Sequence, residues 1–257
     1  MISMSLKKKR NHDQIIQRLK SSLNGVAQIK TLRQIETPSG SYPFQSITLG
    51  DNNSRHVLVS AGIHGDEPAG VETICAFLES GKYKPFLSQW EITLLPCINP
   101  YGFEYDTREN HNNKDLNRLF KDESPLPEVV LTQSIFKSSY FDLTLELHED
   151  CDSDGYYLFQ KSIKPGGLEL GYKIIDAVKN IIQVNLNNEI DDIKADAGVI
   201  HRLKNANEME WWPMAIYSLS MNTGHSFTLE TPTNLPLTTR IEAHLSAIET
   251  ALNECPE

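Results

Sequence analysis

The chain has 257 residues, 39% of them apolar and 23% charged, an ordinary balance for a soluble globular protein of one large domain. Its formal charge of −10, from 24 Lys+Arg against 34 Asp+Glu, argues against a nucleic-acid partner, which calls for a basic surface to displace counterions from phosphates. No run approaches the roughly 18 apolar residues of a membrane span, and the basic run KKKR at 7–10 has no apolar run after it, so no secretory signal is expected.

Residues 1–11 read as a flexible, solvated basic tail on a single domain. The spacing of Ile15, Ile16, Leu19 and Leu23 predicts an amphipathic helix over 12–24. Extended segments over 28–36 and 43–49 flank the turn PSGSYP. The near-continuous apolar run at 56–61 predicts a strand covered on both faces. The turn SAGIHGDE follows, then a helix over 68–80. Next come a strand at 91–98, a long loop to about residue 117, a helix over 125–139, and a strand at 142–148 running into the acidic loop HEDCDSDG. A helix over 167–184, a strand at 226–231 and a final helix over 238–254 complete the pattern. Such alternation predicts an α/β fold, with a mixed, mostly parallel sheet covered by helices on both faces. Ligands then gather beyond the carboxyl ends of the strands. Cys75, Cys97, Cys151 and Cys255 are scattered with no C-x-x-C pair, which fits reduced thiols in a cytoplasmic protein.

His64, Asn99, His148 and Glu230 all fall at or just past predicted strand ends. A His-x-x-Glu pair such as His64 and Glu67 on a tight turn can present two ligands to a metal, and alone it means little. Along FDLTLELHED, Leu143, Leu145 and Leu147 alternate with Thr144, Glu146 and His148, so the histidine points away from the leucines. In SFTLETP, Glu230 ends a strand beside a proline that stops the ladder. Beside a bound zinc it would act as a general base, taking a proton from water and later giving it to a leaving amine. The stretch DTRENHNNKDLNRLF offers Arg108, Asn117 and Arg118 as planar donors for carboxylates and oxyanions, and Asp115 as acceptor for the free ring nitrogen of a ligating histidine. Each of these residues could equally face solvent.

The ordered set HGDE, INPYG, TREN, DLNR, LELH and FTLETP resembles the zinc carboxypeptidase family, whose superfamily includes succinylglutamate desuccinylases and aspartoacylases. The resemblance implies one zinc ion held by His64, Glu67 and His148, with Glu230 as base and proton shuttle. It implies Arg108 at the scissile carbonyl, Asn117 and Arg118 on the substrate's terminal carboxylate, and Asp115 behind the first histidine. A substrate-capping tyrosine usually lies some twenty residues before the base; here the candidate is Tyr217, thirteen residues before it, with Trp211 and Trp212 nearby. Where the family often has an acidic residue after Asn-Pro, this chain has Tyr101. The expected activity is a metallocarboxypeptidase acting on a peptide or N-acyl amino acid with a free carboxylate. The alternatives are an amidohydrolase of small N-acyl amino acids or of peptidoglycan-derived peptides, and, from another class, a non-catalytic binding protein. Glu208 and Glu210 suggest a pocket for a basic side chain, while Glu149, Asp150, Asp152 and Asp154 read as a solvated loop whose spacing fits no EF-hand.

Overall fold

The computed structural model describes residues 7–23, 27, 29–50, 53–121, 126–202 and 205–256. The predicted element ends at residues 24, 28 and 125, and the first six residues of the predicted tail, lie outside them. Helix α1 (His12–Leu23) leads into strands β1 (Ile29–Thr37), β2 (Gly40–Leu49) and β3 (Arg55–Ala61), then α2 (Pro68–Glu79) and β4 (Trp90–Leu95). Next are α3 (Pro100–Tyr105), α4 (Pro127–Ser138), β5 (Leu143–Asp150), β6 (Tyr157–Ser162) and α5 (Gly167–Val178). The chain continues through β7 (Glu189–Ile190), β8 (Ile193–Asp196), β9 (Val199–His201), α6 (Met214–Ser220), β10 (His225–Pro232) and α7 (Leu237–Glu254).

The strands form one sheet in the order β1-β2-β4-β3-β5-β10-β6-β9-β8-β7. Its centre, β4-β3-β5-β10, is parallel. The β1–β2 hairpin joins β4 antiparallel, and β6 joins β10 antiparallel on the other side. Parallel strands need helical crossovers, and these cover both faces. One face packs Val57, Val59, Leu143, Leu145, Leu147, Phe227 and Leu229 against α1, α2, α5 and α7. Burying a side chain of this size stabilises by roughly 1.5–3 kcal/mol. On the other face Leu58 joins Leu116, Phe120, Val129 and Phe136 under α4 and α6. There the alternate positions of β5 and β10 are Thr144, Glu146, His148 and Ser226, Thr228, Glu230, so one sheet face turns polar at its centre.

Some expectations need correction. Lys8, Lys9 and Arg10 are not a free tail: Lys8 pairs with Glu104, Lys9 lies 2.6 Å from Asp106, and the Lys9 and Arg10 amides both donate to the Glu104 carbonyl. The helix predicted to 184 ends at Val178, because Tyr156 donates to the Gln183 carbonyl and draws residues 183–185 out as extended chain. The acidic loop begins later than predicted. Glu149 and Asp150 belong to β5, and Glu149 is buried against the Ala69 amide (2.5 Å) and Arg240, while Asp150 takes the Tyr157 hydroxyl at 2.9 Å. Among the described residues no helix is long and apolar enough to cross a membrane, and all four cysteines are unpaired.

Candidate active site

The turn after β3 is shaped by close backbone packing. A Cβ on Gly65 would stand 1.9 Å from the Gly102 carbonyl carbon, so only glycine lets this turn press against the start of α3. Asn99 caps α3 by accepting from the Gly102 amide (2.9 Å), and its side-chain amide donates to the Arg108 carbonyl (3.3 Å), which also takes the Gly65 amide (3.4 Å). Arg10 adds a staple, donating to the carbonyls of Gly65 (3.2 Å) and Phe103 (3.1 Å). The turn carrying His64 and Glu67 and the loop carrying Arg108 are thereby locked together.

His64 and Glu67 on that turn meet His148 near the carboxyl end of β5, all three buried. Glu67 lies between the imidazoles, Oε1 2.7 Å from His64 Nδ1 and Oε2 2.9 Å from His148 Nδ1. One donor atom from each residue lies within 4.8 Å of the others, so the set could hold a metal ion. The donor chemistry fits zinc, which takes two histidines and a carboxylate in catalytic sites. Burial pushes the Glu67 carboxyl up, but the two imidazoles outweigh it and hold the group well below the ordinary range. Burial lowers His64, yet Glu67 and Asp115 raise it overall. A metal ion bound here would take the place of the protons that Glu67 attracts to the two imidazoles, since a ligating histidine is neutral.

Behind His64, Asp115 Oδ1 lies 3.2 Å from Nε2 and accepts the Asn117 amide at 2.9 Å, while Oδ2 accepts from Arg108 Nε at 3.1 Å. Arg108 Nη1 is 3.5 Å from Glu67. Glu230 pairs in register with His148 across β10 and β5. Burial drives its carboxyl upward, and His148 lowers it only in part. His64, Glu67, Arg108, Asn117, Arg118, His148 and Glu230 all line one cavity of about 1120 Å³. Tyr217 does not: it is 8% exposed on α6, its ring packed against Phe120 and Phe136, so it belongs to the core. Glu208 and Glu210 do not line the cavity either; its acidic lining comes instead from residues such as Asp150, Asp152, Asp191 and Asp196.

Three neighbours had no role assigned from the sequence. Glu146 is buried with both carboxylate oxygens unpartnered, Oε2 3.9 Å from His148 Nε2; the β5 alternation put it on this face, so the signal was present. Arg202, just past β9, lines the cavity and donates to Thr228 (2.6 Å) over the Phe159 ring. Trp211 stacks on Arg118. No motif gave these two a role, because their place depends on partners distant in sequence, Thr228 and Arg118.

A family model described as the succinylglutamate desuccinylase/aspartoacylase catalytic domain matches residues 53–190, a segment that includes His64, Glu67 and His148. The chain belongs to this family. Among curated relatives of the desuccinylase-family chain, murein peptide amidase A of Escherichia coli K12 is 40% identical over 63 residues, 24% of each chain. The matched segments span about a quarter of the length of the curated relatives. A candidate metallopeptidase from Shewanella amazonensis has the same fold, with a TM-score of 0.81 and 21% identity over 96% of this chain and 94% of that one. A metallo-carboxypeptidase from Pseudomonas aeruginosa, solved in complex with (2-guanidinoethylmercapto)succinic acid, matches with a TM-score of 0.72 and 15% identity over 95% of this chain and 68% of that one. The fold is that of the zinc carboxypeptidases.

Proposed function

We propose that the chain is a zinc-dependent hydrolase that cleaves an amide bond beside a free carboxylate, most simply as a metallocarboxypeptidase. The observation that carries this reading is the convergence of His64, Glu67 and His148 with Glu230, Arg108, Asn117 and Arg118 on one cavity. Bound at His64, Glu67 and His148, zinc would supply Lewis acidity to the scissile carbonyl and to the attacking water. Glu230, whose carboxyl is raised by burial, takes the proton from that water and returns it to the leaving amine. Arg108 donates to the developing oxyanion, with Asp115 fixing its guanidinium and the His64 ring together. Asn117 and Arg118 hold the terminal carboxylate and so set the register of attack. The Asn117 side-chain oxygen Oδ1 already accepts the Met214 amide at 2.8 Å, which leaves its NH2 as donor to the ligand.

Carboxylate recognition is supported by the succinic-acid derivative bound to the Pseudomonas aeruginosa relative. The family match favours a second reading with the same chemistry, hydrolysis of small N-acyl amino acids. The murein peptide amidase similarity extends this to peptidoglycan-derived peptides. A panel of blocked dipeptides, N-acyl amino acids and peptidoglycan peptides, assayed for amine release, tests the proposal. Release should cease with a chelator and return with zinc. No release from any member, or release that ignores the chelator, would contradict it.

A further inference from the structure

We propose that Trp211 is a positioning residue of the carboxylate subsite, its indole holding the Arg118 guanidinium in the orientation that receives the ligand. This rests on the carboxylate role given above to Asn117 and Arg118. Little else fixes the Arg118 fork. Its side chain is 39% exposed, its approach to Asp115 is loose at 3.9 Å, and Nη1 donates only to the Asn117 carbonyl at 3.2 Å. Trp211 closes one face of it, with the guanidinium carbon 3.9 Å from the ring centroid. An indole is the strongest aromatic partner for a cation. Stacking uses the face of the guanidinium and leaves its N–H bonds, which lie in the plane, for an anion at the edge. Excluding water from that face also strengthens the charge-assisted hydrogen bonds made there.

Trp211 is 38% exposed, yet its backbone is tied down on both sides. Lys121 donates to the Met209 carbonyl (2.6 Å), Phe120 to the Trp212 carbonyl (3.2 Å), and the Trp212 indole to the Ala206 carbonyl (2.8 Å). Three residues after Trp211, the Met214 amide occupies the Asn117 side-chain oxygen. A single short segment therefore orients both carboxylate donors: an indole sets Arg118, and a backbone amide sets Asn117. A residue that merely packed this segment would have no reason to discriminate a carboxylate from its amide.

That distinction defines the experiment. Binding of N-acetylalanine and N-acetylalaninamide is measured by calorimetry on the zinc-loaded wild type, Trp211→Phe and Trp211→Leu, with folding checked by circular dichroism. The wild type should prefer the carboxylate. Trp211→Leu should lose about tenfold in carboxylate affinity with the amide unchanged, and Trp211→Phe should lose less. On cleaved substrates the loss should appear in KM rather than kcat. Retained preference in folded Trp211→Leu, or equal weakening of both ligands, would overturn the proposal. If Trp211→Leu does not fold, Trp211→Phe decides by the same calorimetry: a loss confined to the carboxylate ligand is expected, and an unchanged preference would overturn the proposal. Absence of turnover would sink the hydrolase reading while leaving these binding outcomes to judge Trp211. A wild type that does not prefer the carboxylate would remove the carboxylate role of Asn117 and Arg118, and the proposal with it.

Discussion

Glu67 and Glu230 share a cavity wall, yet their surroundings drive their carboxyl groups in opposite directions. Glu67, between two imidazoles, is held ionised, as the ligand role proposed for it requires. Glu230 faces His148 with fewer compensating partners, so desolvation wins and its proton affinity rises, as a base requires. The Glu230→Gln variant should therefore fold and retain metal but lose on the order of 10²–10⁴ in kcat. Steady-state kinetics with metal analysis on the same sample checks this, and near wild-type kcat would eliminate Glu230 as the base. At this scale the sequence was informative wherever a side chain hangs from a strand end or a tight turn. His64, Glu67, His148 and Glu230 all do, and they converge as their register demands. Tyr217 misled because spacing to the base says nothing about which way a short helix faces. Its ring fills the core under α4.

Among the elements, the ones with strong periodicity were legible: α1, α2, α7, β3, β5 and β10 lie within a residue or two of the sequence reading. Strands β6 to β9 were not: β7, β8 and β9 are only two to four residues long, and β6 takes its place from partners distant in sequence, β10 and β9. The anchoring of α1 was equally hidden, since it depends on Glu104. That buried carboxylate accepts from Tyr42 (2.7 Å) and the His12 amide (3.1 Å) and pairs with Lys8. Burial raises Glu104, but these partners outweigh it and hold it below its ordinary value. His12, 2% exposed, is lowered by burial from 6.5 to about 4. Both groups have depressed folded-state values, so the unfolded chain binds more protons on acidification and stability falls with pH. For His12 the loss begins as pH drops below about 6.5 and reaches about 2 kcal/mol near pH 5, with Glu104 adding to it at lower pH. His64 and Glu230, both raised, act in the opposite sense over this range, so the test is a difference: in melting curves between pH 7.5 and 5 the Tm of the wild type should drop relative to that of His12→Leu. An identical slope in that variant would show that His12 is not the group responsible.

Across the whole molecule, the polar stripe on β5 and β10 explains why a sheet that buries leucines on one side opens a cavity on the other. The fold class was legible because alternation alone implies helices over a mostly parallel sheet. The cavity's outline was not, because its lining from residues 188–202 and 209–213 carries little periodic signal. The account stands on His64, Glu67 and His148 forming a single metal centre within that cavity. Equilibrium dialysis against zinc, followed by metal analysis, measures this directly on the wild type and on the His64→Ala, His148→Ala double variant. The account predicts one zinc per wild-type chain, held through dialysis, and none held by the double variant. Stoichiometric zinc retained by the folded double variant would contradict it.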